Sequence, residues 1–228
     1  MKVHYCLPTY NQPHMLRRAV EAALASDCDL ADVTVVDLSK EHYAAGLLAG
    51  LERVHVLTMP HNIGLGATWN LFYAMYDDWI VIGNDDVIVE PGTLSAMVNA
   101  ATRSTEALFF GYKDQFSFFL LKKQAYLEAG AFDPVFWPIY WEDVCMGYRL
   151  ALLGYTPVEV SEARFEHEHS QSMKALDPAA TELFWERFKR NQAYYEAKWG
   201  GSRGHETYAV PFGGRRASVP AKVMPKAA

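Results

Sequence analysis

The stretch DWIVIGNDDVIVEPG, residues 78–92, decides how the rest of the chain is interpreted. An apolar segment, residues 79–82, runs into Gly83-Asn84-Asp85-Asp86, and a second apolar segment follows before Pro91-Gly92. A turn is the simplest explanation, because Asn and Asp bond to their own backbone and tolerate unusual dihedral angles. The alternative is a ligand site, and the choice depends on what the chain places beside these two carboxylates.

Short apolar strands alternate with helical patterns through the first half of the chain. We predict strands at 3–7, 33–36, 54–57 and 79–82 and helices at 13–26, 41–50, 67–76 and 91–102. The second half is less regular, with strands predicted at 116–122 and 155–160 and helices at 123–129, 142–153 and 178–198. This alternation implies β-α-β crossovers, so the predicted fold class is α/β, with a mostly parallel sheet flanked by helices.

Composition narrows the class of protein. The 228 residues suffice for one large domain or two small ones, and a hydrophobic content of 50% excludes disorder throughout. Three cysteines without metal-like spacing argue against a disulfide framework and favour a reducing, cytoplasmic location. We expect no signal peptide, and no apolar run approaches the ~18 residues of a spanning helix.

Charge is unevenly distributed along the chain. Residues 201–228 hold five Lys and Arg against one acidic residue, a net charge of +4, which leaves −10 on the first 200 residues. An acidic body argues against a nucleic-acid partner, whereas the basic tail argues for an anionic one. The tail is rich in Gly, Pro, Arg and Ala, so we expect residues 201–228 to be flexible.

Polar residues fall where the predicted strands end. They are Thr9, Asp37 and the Asn84-Asp85-Asp86 group, and ligands of open α/β sheets bind beyond such carboxyl ends. A Rossmann glycine fingerprint and a P-loop are both absent, so phosphates must be held another way. Paired carboxylates hold phosphates through a divalent cation, which predicts a Mg²⁺ or Mn²⁺ site.

Two further groups of residues carry potential chemistry. Glu142-Asp143 opens a predicted helix with Arg149 two turns later, and acidic residues also simply stabilise helix N-termini. The segment FEHEHSQS offers His167 and His169, which are either part of a polar loop or ligands. In an extended segment the two histidines point the same way, so both can face one site.

In order and spacing, residues 2–200 resemble glycosyltransferase family 2, whose members have the GT-A fold. The resemblance is carried by LPTYNQ, a strand ending in Asp37, HNIGLGATWN, IGNDDVIVEPG, GAFDP with WEDVCMGYRLALLGY, a histidine followed by serines, and KRNQAYYEAKWG. Three positions depart from the family pattern. Leu38-Ser39-Lys40 follows Asp37, Cys145 replaces the second acid of its helix, and Asn84 opens the metal motif.

The resemblance implies roles for the donor side. Asp86 would bind Mn²⁺ or Mg²⁺ on the diphosphate of a nucleotide sugar, and His167, or failing that His169, would complete the metal shell. Asp85 would face the ribose or donor sugar, and Asp37 would accept the imide N–H of uracil or thymine. The implied donor-binding residues are Pro8, Thr9, Tyr10, Asp37, Asn62, Gly64, Asn70, Asn84 and Asp85.

It also implies the acceptor side and the division of the chain. Asp143 would be the general base, preceded by Glu142, and Trp137, Tyr140 and Trp141 would wall the acceptor. From its position further along the helix, we expect Arg149 to be the charge partner of Glu142. Residues 1–200 would form the GT-A domain, with a nucleotide-sugar-binding half at 1–92 and an acceptor-side half at 93–200 that ends in an amphipathic helix.

The implied activity is metal-dependent, inverting transfer of a sugar from a UDP- or dTDP-sugar to a hydroxyl on a saccharide, lipid or protein. Two alternatives stay open. The acceptor could be a hydroxymethylated DNA base, which the basic tail and the aromatic residues around 116–141 permit. The chain could instead be an inactive GT-A binding module, although retention of Asp86, Asp143 and His167 weighs against that.

Overall fold

The first half of the chain is a parallel sheet with helical connections. The computed structural model describes residues 2–26, 30–77, 79–113, 115–167 and 178–214. Its first four strands are β1 (Val3–Thr9), β2 (Leu30–Asp37), β3 (Val54–Thr58) and β4 (Trp79–Gly83), joined by helices α1 (Pro13–Leu24), α2 (Ala44–Leu47) and α3 (Leu65–Met75). They lie in the order β3-β2-β1-β4, and all their pairings are parallel. Thr9 is paired with Asp37, so the polar strand ends meet at one edge.

The second half completes the main sheet and adds a small one. Its elements are β5 (Val87–Val89), α4 (Thr93–Arg103), β6 (Leu108–Phe110), β7 (Phe118–Leu121), α5 (Lys123–Ala129), α6 (Glu142–Leu152), β8 (Val158–Glu159), β9 (Phe165–His167) and α7 (Pro178–Trp199), with 3-10 turns at Pro134–Phe136 and Pro211–Gly214. Strands β7, β6 and β8 extend the sheet beyond β4. Strand β7 runs antiparallel to both of its neighbours, and β6 pairs with β8 in parallel. The predicted α/β class with a mostly parallel sheet is confirmed.

The small sheet is formed by β5 and β9, and we did not predict it. The two strands pair antiparallel, with Val87 opposite His167 and Val89 opposite Phe165. Each strand has three residues, too short for a periodic signal, and the partners lie about 80 residues apart in the chain. Their pairing fixes the position of His167 relative to the end of the Asn84-Asp85-Asp86 turn.

Helices cover both faces of the main sheet. Alternate strand residues point to opposite faces, so neighbouring residues of one strand join different cores. In β1, Tyr5 and Leu7 join the core under α1 and α4, while Cys6 joins the core under α3, α5 and α6. A third cluster, with Cys145, Tyr195 and Trp199 at its centre, fixes α7 against α6. No helix in the described ranges has both the length and the hydropathy of a membrane span.

One local prediction needs correction. The helix expected at 41–50 is only the short α2, because the residues before it fold into a loop around the carboxylate of Asp37. Residues 201–214 of the tail are mostly exposed, and they make defined hydrogen bonds to the preceding helices. Thr207 and Tyr208 donate their backbone N–H groups to the Trp199 carbonyl, and Tyr148 donates its hydroxyl to the Tyr208 carbonyl. Residues 215–228 lie outside the described residues.

Candidate active site

Asp86 and His167 form the centre of the candidate metal site. The Nε2 atom of His167 lies 3.2 Å from Oδ1 of Asp86, and both side chains are about nine-tenths buried. The pairing of Val87 with His167 produces this proximity, since Asp86 directly precedes β5 and His167 ends β9. Oδ1 of Asp86 makes no hydrogen bond, so the short distance to His167 is a contact without hydrogen-bond geometry.

This orphaned, buried oxygen beside an imidazole fits a divalent cation. Carboxylate oxygens suit Mg²⁺ and Mn²⁺, and imidazole is a common ligand of the transition metals. Among the described residues, no set of three or more His, Cys, Asp and Glu side chains could hold a metal alone. A cation here would therefore take its remaining ligands from water or from phosphate oxygens of a bound nucleotide. His169 lies outside the described residues.

Asp85 ends a chain of hydrogen bonds from β1 and the loop after β2. The Thr9 hydroxyl donates to Oδ2 of Asp85 over 2.6 Å and accepts a bond from the Tyr43 hydroxyl, which in turn accepts from the Gln12 backbone N–H. The Tyr10 N–H also points at the same Asp85 oxygen, at 3.3 Å. Burial raises the pKa of Asp85 to about 7, the bond from Thr9 opposes the rise, and the charge of Asp86 adds to it. Asp85 is thus held in a fixed orientation next to the metal ligand.

Asp37 is engaged by its own loop. Its Oδ1 accepts the Ser39 backbone N–H over 2.9 Å and the Ser39 hydroxyl, and its Oδ2 accepts the Ala44 N–H over 2.9 Å. The residue is fully buried at the end of β2. In this arrangement the carboxylate shapes the loop of residues 38–44, and contact with a nucleobase requires that loop to open a path to it.

The other expected donor-binding residues are engaged mainly in the local structure around the site. Asn70 is committed to structure, because its amide bonds both the N–H and the carbonyl of Phe132. The Asn62 side chain accepts a hydrogen bond from the Gly64 N–H. Gly64 directly precedes α3 and has a φ of +87°, which favours glycine. Asn84 is half-buried, and its backbone carbonyl accepts a hydrogen bond from the Val87 N–H. Pro8 is buried within β1.

Glu142 and Asp143 open α6, where the unpaired backbone N–H groups of a helix N-terminus favour negative charge. Glu142 is 2% exposed, and its Oε2 has no hydrogen-bond partner. A Cβ on Gly66 of α3 would approach the Glu142 Cβ to 3.3 Å, so Glu142 is wedged against the start of α3. Burial, and then the charge of Asp143, raise the pKa of Glu142 well above its usual range.

Asp143 is less enclosed than Glu142, and its Oδ1 has no hydrogen-bond partner. Burial raises the pKa of Asp143, and backbone N–H groups at the helix start and the positive charge of Arg203 oppose that rise. Arg149, which we expected to be the charge partner of Glu142, is bonded elsewhere. It donates to the carbonyls of Ala129, Gly130 and Ala131 and to Cys145 of its own helix, so it fixes the end of α5.

The segment before α6 brings the expected aromatic residues to the same place. Tyr140 and Trp141 both have left-handed backbone conformations, with φ of 74° and 79°, which are unfavourable for bulky residues. Asn191 of α7 holds this turn, because its buried amide donates to the carbonyls of Phe136, Ile139 and Tyr140 at 2.8–3.2 Å. Burial raises the pKa of Tyr140, and the charges of Glu142, Asp143 and Asp86 raise it further, so Tyr140 lies within the electrostatic reach of both the turn after β4 and the start of α6.

Unpaired buried polar atoms converge on this region. Of the seven side chains in the described ranges that have a buried N or O atom without a hydrogen bond, four belong to the site: Asp86, Trp141, Glu142 and Asp143. A buried polar atom without a partner is costly, and it is found mainly where a ligand, ion or water completes the bonding. The arrangement is therefore suited to binding a polar ligand and a cation.

Several contributors to the site were missed from the sequence. Tyr43 lies in a weak helical pattern, Asn191 lies in a long amphipathic helix, and Arg203 lies in a segment expected to be flexible. The motif KRNQAYYEAKWG did contain Asn191, and its asparagine within a helix was the one available signal, since Asn is unfavourable there without a partner.

Comparisons with known proteins identify the family. The model of glycosyl transferase family 2 matches residues 5–149, well over half of the chain, and the chain belongs to this family. This confirms the resemblance seen in the sequence. A search of curated proteins finds no match.

Solved structures of glycosyltransferases share the fold. The chain is similar to GalNAc-T7 with UDP, GalNAc and Mn²⁺, with 12% identity and a TM-score of 0.64 over 86% of this chain and 50% of that one. It is also similar to the mannosyltransferase PcManGT from Pyrobaculum calidifontis in complex with GDP-Man and Mn²⁺, with 14% identity and a TM-score of 0.65 over 85% and 69%. The chain thus spans about half the length of the first protein, and the likeness shows that the fold is GT-A.

Proposed function

We propose that this chain is a metal-dependent, inverting glycosyltransferase that moves a sugar from a nucleoside-diphosphate donor to an acceptor hydroxyl. The observation that carries the proposal is a pair of buried carboxylates with unpaired oxygens, Asp86 and Asp143, whose charges both raise the pKa of Tyr140. One belongs to the turn after β4 and the other to the start of α6. A transferase needs this division, because the leaving group and the attacking hydroxyl occupy opposite faces of the sugar.

The donor side would hold the nucleotide at the carboxyl ends of the strands. Asp86 and His167 are the residues that would bind Mn²⁺ or Mg²⁺, which supplies positive charge to stabilise the leaving diphosphate. Asp85, oriented by Thr9, would bind the ribose or the donor sugar. Both similar solved structures hold Mn²⁺ with a nucleotide or nucleotide sugar, which supports a cation at this position.

The acceptor side would carry the proton transfer. Asp143 would accept the proton of the acceptor hydroxyl as its oxygen attacks the anomeric carbon, and the bond from that carbon to the diphosphate would break. A single displacement of this kind inverts the anomeric centre. Trp137, Tyr140 and Trp141 would wall the acceptor, which we propose to be a saccharide, lipid or protein hydroxyl.

The choice of UDP or dTDP rests on Asp37 as acceptor of the base N–H. The similar structures hold different nucleotides, UDP in one and GDP-Man in the other, so they do not favour one base. A cytoplasmic location is likewise a proposal, supported by two buried free thiols, Cys6 and Cys145.

The test is release of nucleoside diphosphate from a panel of UDP-, dTDP- and GDP-sugars, with Mn²⁺, with Mg²⁺ and with a chelator. Slow hydrolysis of the donor reports the activity even when the acceptor is not supplied. We expect metal-dependent release from a UDP- or dTDP-sugar, reduced in the Asp86→Ala variant. Absence of binding and release for every donor and metal would overturn the proposal, and a preference for GDP-sugars would overturn only the role of Asp37.

A further inference from the structure

A cation on α7, Arg187, stacks on Trp137, a ring that contacts two of the expected donor-binding residues, Asn62 and Gly64. The guanidinium of Arg187 lies 4.1 Å from the centre of the Trp137 ring, a stacked cation-π contact. In the parts of the chain that the structure describes, no carboxylate forms an ion pair with Arg187, and its N–H groups donate no hydrogen bond. Burial lowers the pKa of Arg187, which is half-buried, while the neighbouring Tyr10 and Glu186 oppose that shift.

The Trp137 platform under Arg187 is fixed from two directions. The indole Nε1 donates to the Asn62 carbonyl over 2.8 Å, and Trp137 Cδ1 would be 2.8 Å from a Cβ on Gly64. From the other side, Arg190 donates to the Trp137 carbonyl and, over 2.8 Å, to the side-chain oxygen of Asn191. These contacts fix the Trp137 ring, which is the surface on which the Arg187 guanidinium stacks.

Arg187 lies on the face of α7 that packs on the site. Residues three or four apart share a helix face, and the ring of Phe184, three residues before Arg187, contacts Tyr140 at 5.5 Å between centroids. Asn191, four residues on from Arg187, reaches the carbonyls of the same segment. Trp137, on which Arg187 stacks, bonds the Asn62 carbonyl and lies against Gly64, and both are expected donor-binding residues.

We infer that Arg187 binds the diphosphate of the nucleotide donor as a second cation, independent of the metal. This inference rests on the proposed function and extends it to a residue beyond the stretch matched by the family model. With one face on the indole, the guanidinium still offers the N–H groups along its edge, whose fork matches two phosphate oxygens.

The chemistry of the leaving group favours such a second cation. A departing nucleoside diphosphate gains negative charge as the sugar bond breaks, and among the described residues Asp86 and His167 are the two that we propose as ligands of a metal here. A fixed donor aimed at that developing charge is worth most when its orientation is set beforehand, as the stacking on Trp137 provides.

The experiment separates phosphate binding from nucleoside binding. UDP, dTDP and GDP are first compared by thermal shift with Mn²⁺, and the strongest ligand is then titrated by calorimetry, together with its nucleoside. Arg187→Ala and Arg187→Gln are compared with wild type, and Lys189→Ala, an exposed lysine on the same helix, is the matched control.

Both Arg187 variants are expected to bind the diphosphate about 10- to 100-fold more weakly, since a charge-assisted bond is lost. Their affinity for the nucleoside should stay within about threefold, and Lys189→Ala should match wild type in both titrations. Arg187→Gln keeps the side-chain stem, so it reports the loss of charge even if Arg187→Ala folds poorly.

Equal losses for diphosphate and nucleoside, or no loss at all, would overturn the role of Arg187. If Asp86→Ala weakens the diphosphate while both Arg187 variants do not, only this inference fails. If wild type binds none of the three diphosphates, the inference and the proposed function fail together.

Discussion

The Nε2 atom of His167 lies 3.2 Å from Oδ1 of Asp86, although the two residues are 81 positions apart in the chain. Neither residue belongs to a long helix or strand, since β5 and β9 have three residues each. A three-residue strand pairing, Val87 with His167, sets the distance. The oxygen is buried without a hydrogen bond, so the pair is arranged for a further ligand rather than for its own interaction.

Removing the Asp86 carboxylate should abolish the effect of metal on nucleotide binding. We expect Asp86→Asn to lower the Mn²⁺-dependent affinity for the favoured nucleoside diphosphate by about tenfold or more, because a neutral amide is a weaker ligand for a divalent cation. Calorimetry with Mn²⁺ and with a chelator measures the difference.

A second His–Asp pair provides the control for that experiment. His4 Nδ1 lies 2.7 Å from Asp32 Oδ1 near the opposite end of β1, and Asp32→Asn disturbs it without touching the site. The variant should keep the full response to Mn²⁺. The metal assignment is wrong if Asp86→Asn binds the nucleotide with metal as tightly as wild type.

Replacing Asp143 should separate catalysis from donor binding. Asp143→Asn keeps the shape and removes the proton acceptor, so we expect transfer to fall by about 10²–10⁴. Affinity for nucleoside diphosphate and Mn²⁺ should change by less than about threefold, because the base contacts acceptor rather than nucleotide. Turnover of a donor–acceptor pair and calorimetry give the two numbers. A nearly normal rate in Asp143→Asn, with an inactive Glu142→Gln, would reverse the assignment.

Glu142 should behave as a buried acid whose charge is unfavourable. Its pKa is raised by burial and then by Asp143, so the folded value lies above the unfolded one. The stability that protonated Glu142 contributes is complete below the unfolded pKa near ~4 and is lost as the pH rises through the raised folded value. Glu142→Gln does not titrate and keeps the shape of the protonated acid, so its relative stability should increase with pH.

The measurement is the melting temperature of wild type and Glu142→Gln from about pH 4 to about pH 9. We expect the two proteins to be closest at about pH 4 and the variant to gain roughly 2–10 °C by pH 9, from about 1–3 kcal/mol for an unpaired buried group. Glu21→Gln, an exposed position paired with Arg17 on α1, should show no such trend. A variant that becomes less stable with rising pH would contradict this account of Glu142.

The strand ends were predictable from the sequence because they follow local patterns. The β-branched run before Asp37 and the apolar run before Asn84 define strands within a few residues, and parallel strands bring their carboxyl ends together. Asp86 and Thr9 could therefore be placed at one edge of the sheet without knowing any long-range contact.

Other parts of the site depend on contacts that no local pattern shows. The loop of residues 38–44 turns back on Asp37, which shortened a predicted helix and buried a carboxylate expected to meet the base. Arg149 was expected beside Glu142 from helix spacing alone, but three carbonyls at the end of α5 hold it instead. Arg203 lies in a segment whose composition suggested no packing.

The segment 201–214 offers the last prediction, because the charge of its Arg203 acts on the proposed base. The segment is tied to α7 by backbone bonds to Trp199 and by the pairing of Tyr195 with Glu206, and the charge of Arg203 lowers the pKa of Asp143 against the larger effect of burial. Arg203→Gln removes that charge, so the pKa of Asp143 should rise and the base should be protonated at higher pH. The acid limb of the kcat/KM profile should then move to higher pH by about half a unit or more, a size typical of losing a nearby opposite charge.

Gly201→Ala should produce a similar shift, since a Cβ there would collide with the His205 carbonyl and displace the segment. Arg17→Gln on α1 should leave the profile unchanged. An acid limb that stays in place or moves to lower pH in Arg203→Gln would show that Arg203 does not act on the catalytic base.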